Sequence, residues 1–252
     1  MGFMKIIGIS DFHGETALLD ALLEKCMSED PDCIVFCGNV VEGQAREEEW
    51  LGAKKEGRKP AETKEIEKEL VKDEKGFREF YLTLLKLGIP LLVIPGNMDA
   101  PEEAYLKVME SVSAEGNVRM MHRKNDTVGG YSFAGFGGEI GKESEHFFIL
   151  SYPEEAFTRE MEELKADILL FHSPPKDTKA DAGDDRSIGS DAVRKIIEKT
   201  KPLLVFCGHA HKTGAVDHIG KTTIVNPGAL KYGNISIVEI NGEDVKVELT
   251  NL

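Results

Sequence analysis

The chain has 252 residues, 41% of them hydrophobic and 30% charged, which is enough apolar material for one large core or two small ones and too much for a disordered chain. Its 31 basic and 45 acidic side chains leave a net charge of −14, a sign that repels a phosphate backbone and argues against broad nucleic-acid binding. No apolar run approaches the ~18 residues of a membrane span, and residues 1–10 run into a strand pattern too early for a signal peptide, so a cytoplasmic protein with no membrane partner is expected.

Residues 5–10 (KIIGIS) read as a strand, and residues 16–27 repeat leucine at helical spacing. Residues 32–37 are a second strand. A helix over 77–87 is closed by Gly88 and Pro90, and a third strand follows at 91–94. Helices at 104–113, 153–164 and 191–198 alternate with strands at 132–136, 167–171 and 203–207. The tail at 222–225, 235–240 and 245–249 is all strand, with Asn241-Gly242 as a hairpin turn between the last two runs. Strand–helix alternation over the first two-thirds predicts parallel pairing with helices on the faces, and the tail predicts a second, partly antiparallel sheet.

Two stretches stand apart. Residues 46–75 are dense in Glu and Lys and sparse in apolar residues, and read as a solvated helical insertion, with a lid or a protein-partner surface as the functional alternative. Residues 173–190, rich in Pro, Asp, Lys and Gly, read as a long exposed loop beside a candidate site. Cys26, Cys33, Cys37 and Cys207 form no CxxC pair and are expected to be buried free thiols.

The chemistry lies where apolar runs stop. They end in Asp11-Phe12-His13, Gly38-Asn39, Gly96-Asn97, His172 and Gly208-His209-Ala210-His211. In an α/β sheet, ligands bind at the carboxyl ends of strands, so these groups should meet. Singly each is weak: Asp11 suits a turn or cap, and His13 or His172 alone suits a surface or strand-end histidine. Gly38, Gly96 and Gly208 each precede a candidate ligand and would permit a sharp turn there. His122, His146 and His218 follow no such pattern.

In this order, with GNVVEG at 38–43, GNMD at 96–99 and the Asn226-Pro227-Gly228 turn, the motifs resemble the calcineurin-like metallophosphoesterase superfamily. The resemblance spans almost the whole chain, the charged insertion excepted. It implies an α/β fold, a four-layer α-β-β-α sandwich with two mixed β-sheets, as a single domain. It implies two divalent metal ions, Mn2+ first, with Fe, Zn, Co or Ni as alternatives. One would take Asp11, His13 and His211, and the other Asn97, His172 and His209, with position 39 as the bridge. The activity implied is hydrolysis of a small phosphoester, a diester rather than a monoester, by metal-activated hydroxide attacking phosphorus in line.

Two positions, Asn39 and Met98, qualify that expectation. The family usually has aspartate where this chain has Asn39, and an amide brings no charge to a metal bridge. The readings left open are a natural low-affinity bridge, a silenced site serving as a metal-binding scaffold, and a substituted residue. Glu42 is a candidate replacement carboxylate. Met98 stands where many members carry a histidine acid and cannot donate a proton. Asn97 and Asp99 are the candidate catalytic pair, Asp99 either orienting a ligand or water or capping the helix after Pro101.

Overall fold

The computed structural model describes residues 2–183, 187–211 and 214–252. In chain order the strands are β1 (Phe3–Ile9), β2 (Cys33–Phe36), β3 (Leu91–Val93), β4 (Val118–Met120), β5 (Lys124–Val128), β6 (Tyr131–Phe136), β7 (Glu139–Gly141), β8 (Ser151–Pro153), β9 (Ile168–Phe171), β10 (Leu204–Phe206), β11 (Ala215–Ile219), β12 (Thr222–Asn226), β13 (Asn234–Asn241) and β14 (Asp244–Asn251). The helices are α1 (Leu19–Glu29), α2 (Gln44–Glu56), α3 (Lys64–Leu85), α4 (Glu102–Ser113), α5 (Glu154–Met161) and α6 (Asp191–Thr200).

Two six-stranded sheets share one plan. The first runs β14-β13-β1-β2-β3-β4 and the second β11-β12-β10-β9-β6-β5. In each, four parallel strands sit together; antiparallel β13 and β14 finish one edge of the first, and antiparallel β11 and β5 finish the two edges of the second. A small parallel pair, β7-β8, stands apart.

The period-two alternation of side chains builds the layers. On β2 and β3, Val35 and Leu92 face the other sheet, while Ile34, Phe36, Leu91 and Val93 face outward. The second sheet mirrors this: Ile168, Leu170, Leu204 and Phe206 point between the sheets, and Leu169, Phe171 and Val205 point away. Outside the first sheet, Leu22 of α1, Phe80 of α3 and Tyr105 of α4 cover one face. Outside the second, Phe157 of α5 and Ile196 of α6 cover the other. These three cores make the four-layer α-β-β-α sandwich that the resemblance implied.

Several expected boundaries move. The helix expected to begin at 77 begins at Lys64, with the Thr63 hydroxyl accepting the Ile66 N–H at its start. The charged segment is therefore not wholly solvated: Ile66 is fully buried, and so is Arg46 on α2. Alternating Glu and Lys hid the stripe formed by Ile66, Asp73, Phe77, Phe80, Tyr81 and Leu84. The loop over 173–190 is also less exposed than its composition suggests. Asp181 is buried and accepts the N–H groups of Asp177, Ile188 and Gly189 and the Ser187 hydroxyl; residues 184–186 of that loop lie outside the described residues. At the sheet edges, β5 is a polar, exposed run and β11 (AVDHI) a short, half-buried one in which Asp217 and His218 interrupt the apolar residues, so neither showed a clear strand pattern. All four cysteines are buried and unpaired.

Candidate metal centre

Register brings the ligands together. Ile9 pairs with Phe36 and Phe36 with Val93, so β1, β2 and β3 stop at one level. In the second sheet Phe206 is level with Leu170 and with Val225. The residues just past these ends share one cleft between the sheets. The crossing is direct: His172 donates from Nδ1 to the Cys37 carbonyl at 2.7 Å, and the His209 N–H donates to Asp11 Oδ2 at 3.0 Å.

The turns that aim these side chains use unusual backbone. Asp11, His13, Asn39 and His209 all have positive φ, at 56°, 48°, 64° and 68°. Asp, Asn and His are the side chains that tolerate this region best, and such residues concentrate at functional sites. Gly208 has a different reason. A Cβ there would collide with Ser10 Oγ and lie 2.9 Å from Asp11 Oδ2, so only glycine lets the His209 loop close on the Asp11 turn. The residues after β12 lock the arrangement. Leu230 and Lys231 donate backbone N–H groups to the Ser10 and Asp11 carbonyls at 2.7 and 3.1 Å. The Asn226 amide reaches the Gly208 and Ala210 carbonyls at 3.3 and 3.1 Å.

Asp11, His13 and His211 place one ligand atom each within 4.8 Å of the others. His211 Nε2 is 3.2 Å from Asp11 Oδ1 and 3.3 Å from His13 Nε2, and His13 Nε2 is 3.7 Å from Asp11 Oδ1. Alongside, His172 Nε2 is 2.9 Å from Asn97 Oδ1, and the His172 and His209 rings meet edge to face at 5.0 Å. Asn39 lies between the two groups, 3.0 Å from Asp11 and 3.1 Å from Asn97 through its Nδ2.

This donor set fits cations. His13 Nδ1 is 3.1 Å from the Val41 carbonyl, and His172 Nδ1 is engaged likewise with Cys37. A carbonyl only accepts, so both Nδ1 atoms carry the proton and both Nε2 atoms present lone pairs. His172 Nε2 and Asn97 Oδ1 are then two acceptors face to face with no proton between them. Ligands bound to one ion at about 2.0–2.2 Å stand about 3–3.5 Å apart, close to the spacings seen here. A backbone carbonyl fixing the far nitrogen is also the usual support of a metal-binding histidine.

Electrostatics point the same way. Burial pushes the Asp11 carboxyl up, but the neighbouring His13 and His211 side chains outweigh it and hold the group well below the usual carboxylate range. Burial, reinforced by His172, pushes His209 down to about 3, and burial also lowers His172. The site therefore offers an ionised Asp11 carboxylate, with His172 and His209 held as neutral imidazoles.

Asp99 neither caps the following helix nor touches a ligand side chain. It accepts the N–H groups of Asn39, Val40 and Gly96 at 2.8, 2.7 and 2.8 Å, binding the two asparagine turns to each other. The Glu42 carboxylate is on the cleft rim, 3.4 Å from Lys72. A cleft of about 450 Å³ opens over the cluster, and its walls include Glu15, Glu42, Glu47, Met98, Lys231 and Tyr232. Lys231 and Tyr232 gave no signal of their own in the sequence; the Asn226-Pro227-Gly228 turn that delivers them did.

A model described as "Metallophosphoesterase, calcineurin superfamily" matches residues 1–250. The chain belongs to this superfamily. An uncharacterised protein of Methanocaldococcus jannaschii is 30% identical over 240 residues, covering 91% of this chain and 90% of that one. A solved structure from Thermus thermophilus superposes with a TM-score of 0.73 at 22% identity, over 98% of both chains. An archaeal protein described as a novel phosphodiesterase shares the fold with a TM-score of 0.52 at 12% identity, over 98% of this chain and all of that one. Metal-dependent phosphoester hydrolysis is the general chemistry of a metallophosphoesterase, and the Asp11–His13–His211 group is where this member could hold an ion. No helix among the described residues is long and apolar enough to cross a membrane.

Proposed function

We propose that the chain is a metal-dependent hydrolase of small phosphoesters that prefers diesters to monoesters. The observation that carries this reading is the set of lone pairs turned towards one another beneath an open cleft. Divalent cations held there would supply Lewis acidity at the phosphoryl oxygens and at a water. The mix of imidazole with carboxylate and amide oxygen suits Mn2+ first, with Fe, Zn, Co or Ni as alternatives.

The protein's own groups set the substrate. Lys231 on the wall offers a cation to a phosphoryl oxygen, while Glu15, Glu42 and Glu47 line the same cleft. Carboxylates at that range repel a dianionic monoester more than a monoanionic diester. Met98 is buried at the cleft base and holds no proton, so esters whose leaving groups depart unprotonated should react faster. The likeness in fold to an archaeal phosphodiesterase accords with this choice.

The test is steady-state hydrolysis of bis(p-nitrophenyl) phosphate and p-nitrophenyl phosphate in saturating Mn2+. A kcat/KM at least tenfold higher for the diester is expected. A faster monoester would overturn the diester assignment. No turnover of either would leave the chain a non-catalytic metal-binding scaffold on the same fold.

A further inference from the structure

Asn39 presents the wrong end of its amide to bridge two metals. Its Oδ1 accepts the Met98 N–H at 2.8 Å, while its Nδ2 donates to Asp11 Oδ1 and Asn97 Oδ1 at 3.0 and 3.1 Å. The three bonds agree on one orientation, because Met98 N–H needs an acceptor and the two oxygens need a donor. Asn39 and Met98 are only 1% and 5% exposed, so the amide is held mainly by these protein partners. An amide –NH2 has no lone pair to give a cation. An aspartate could accept from Met98 with one oxygen and still turn the other towards both ligand groups.

We propose that this protein binds one divalent metal tightly, on Asp11, His13 and His211, and that the Asn39 amide holds the neighbouring group of Asn97, His172 and His209 at low affinity. The inference rests on the cluster being a metal centre, but it concerns stoichiometry rather than turnover. Two features support it beyond the amide itself. Asp11, the carboxylate of the cluster, belongs to the first group, and its Oδ2 already accepts from Ser10 Oγ and His209 N–H, leaving Oδ1 towards His211. The second group consists of an amide and two imidazoles, none of which offsets the charge of a dication. Turning Asn39 round to offer its oxygen would leave the Met98 N–H facing an –NH2 group. An unsatisfied buried donor of that kind corresponds to binding weaker by roughly tenfold to a hundredfold.

The experiment is titration of chelator-treated protein with MnCl2 by calorimetry, with bound metal counted after gel filtration. Wild type should take up one equivalent tightly, and Asn39→Asp two. In wild-type background, His211→Ala should lose the tight equivalent and His172→Ala should keep it, a contrast that decides even if the aspartate variant does not fold. Two equivalents of matched affinity in wild type would overturn the inference while leaving the metal-centre reading intact. So would loss of the tight metal in His172→Ala with retention in His211→Ala. No binding by wild type would overturn both.

Discussion

At position 208 a side chain would have nowhere to go. Gly208 sits where the His209 loop crosses the Asp11 turn, and a Cβ would fall on Ser10 Oγ, which itself donates to Asp11 Oδ2 at 2.6 Å. Adding one methyl group to so tight a contact typically costs about 1–3 kcal/mol. Gly208→Ala should therefore lower stability by about that amount and displace Asp11 from its ligand position. Urea unfolding together with Mn2+ titration checks both effects; unchanged midpoint and affinity would show that the loop can move aside. Asn39 is informative at the same scale. Its type was readable as a departure from an expected carboxylate. Which end of the amide faces the cluster was not, because that depends on the Met98 N–H, a backbone group no residue identity announces.

Among the elements, α2 and α3 connect the charged segment to the site. Arg46 is fully buried and donates to Asp73 at 2.8 Å and to the Met98 carbonyl at 3.1 Å, with Glu69 3.1 Å away. Glu69 in turn accepts the Ala45 and Arg46 N–H groups at the start of α2. Burial pushes the Asp73 carboxyl up, against the pull of Arg46. Removing the cation would leave Asp73 buried and uncompensated, a change that commonly costs about 3–5 kcal/mol. Arg46→Met should destabilise the protein to that order, and a compensating Asp73→Leu in the same chain should recover part of the loss. Equal stability of Arg46→Met and wild type in thermal unfolding would contradict this role for α2. The sequence marked residues 46–75 as helical and charged, but a buried Arg–Asp pair looks the same as a solvated one until the partner 27 positions on is placed.

Across the whole molecule, the legible features were continuous apolar runs and amphipathic helices. Runs such as ILLF in β9 and CIVF in β2 are buried on both faces, so they stood out as strands, and their ends marked the site. The convergence of Asp11, His13, Asn39, Asn97, His172, His209 and His211 was legible because chemistry-bearing residues recurred at those ends. Edge strands β5 and β11 were not: β5 is polar and exposed, and β11 is a short, half-buried run in which Asp217 and His218 break the apolar residues. Nor were Lys231 and Tyr232, which reach the cleft only because the turn after β12 docks on the Ser10 and Asp11 carbonyls. Sheet pairing thus creates the site, and part of the cleft wall, Lys231 and Tyr232, comes from a segment whose own pattern is silent.

Whether the cluster works as a metal-dependent catalyst is decided by phosphodiester hydrolysis in chelator-stripped protein before and after Mn2+ is restored, with His211→Ala carried alongside. Stripped protein should show no turnover, metal should restore it in wild type, and His211→Ala should be at least a hundredfold slower under the same conditions. Turnover that persists without metal, or that is unaffected by His211→Ala, would contradict the metal-centre reading.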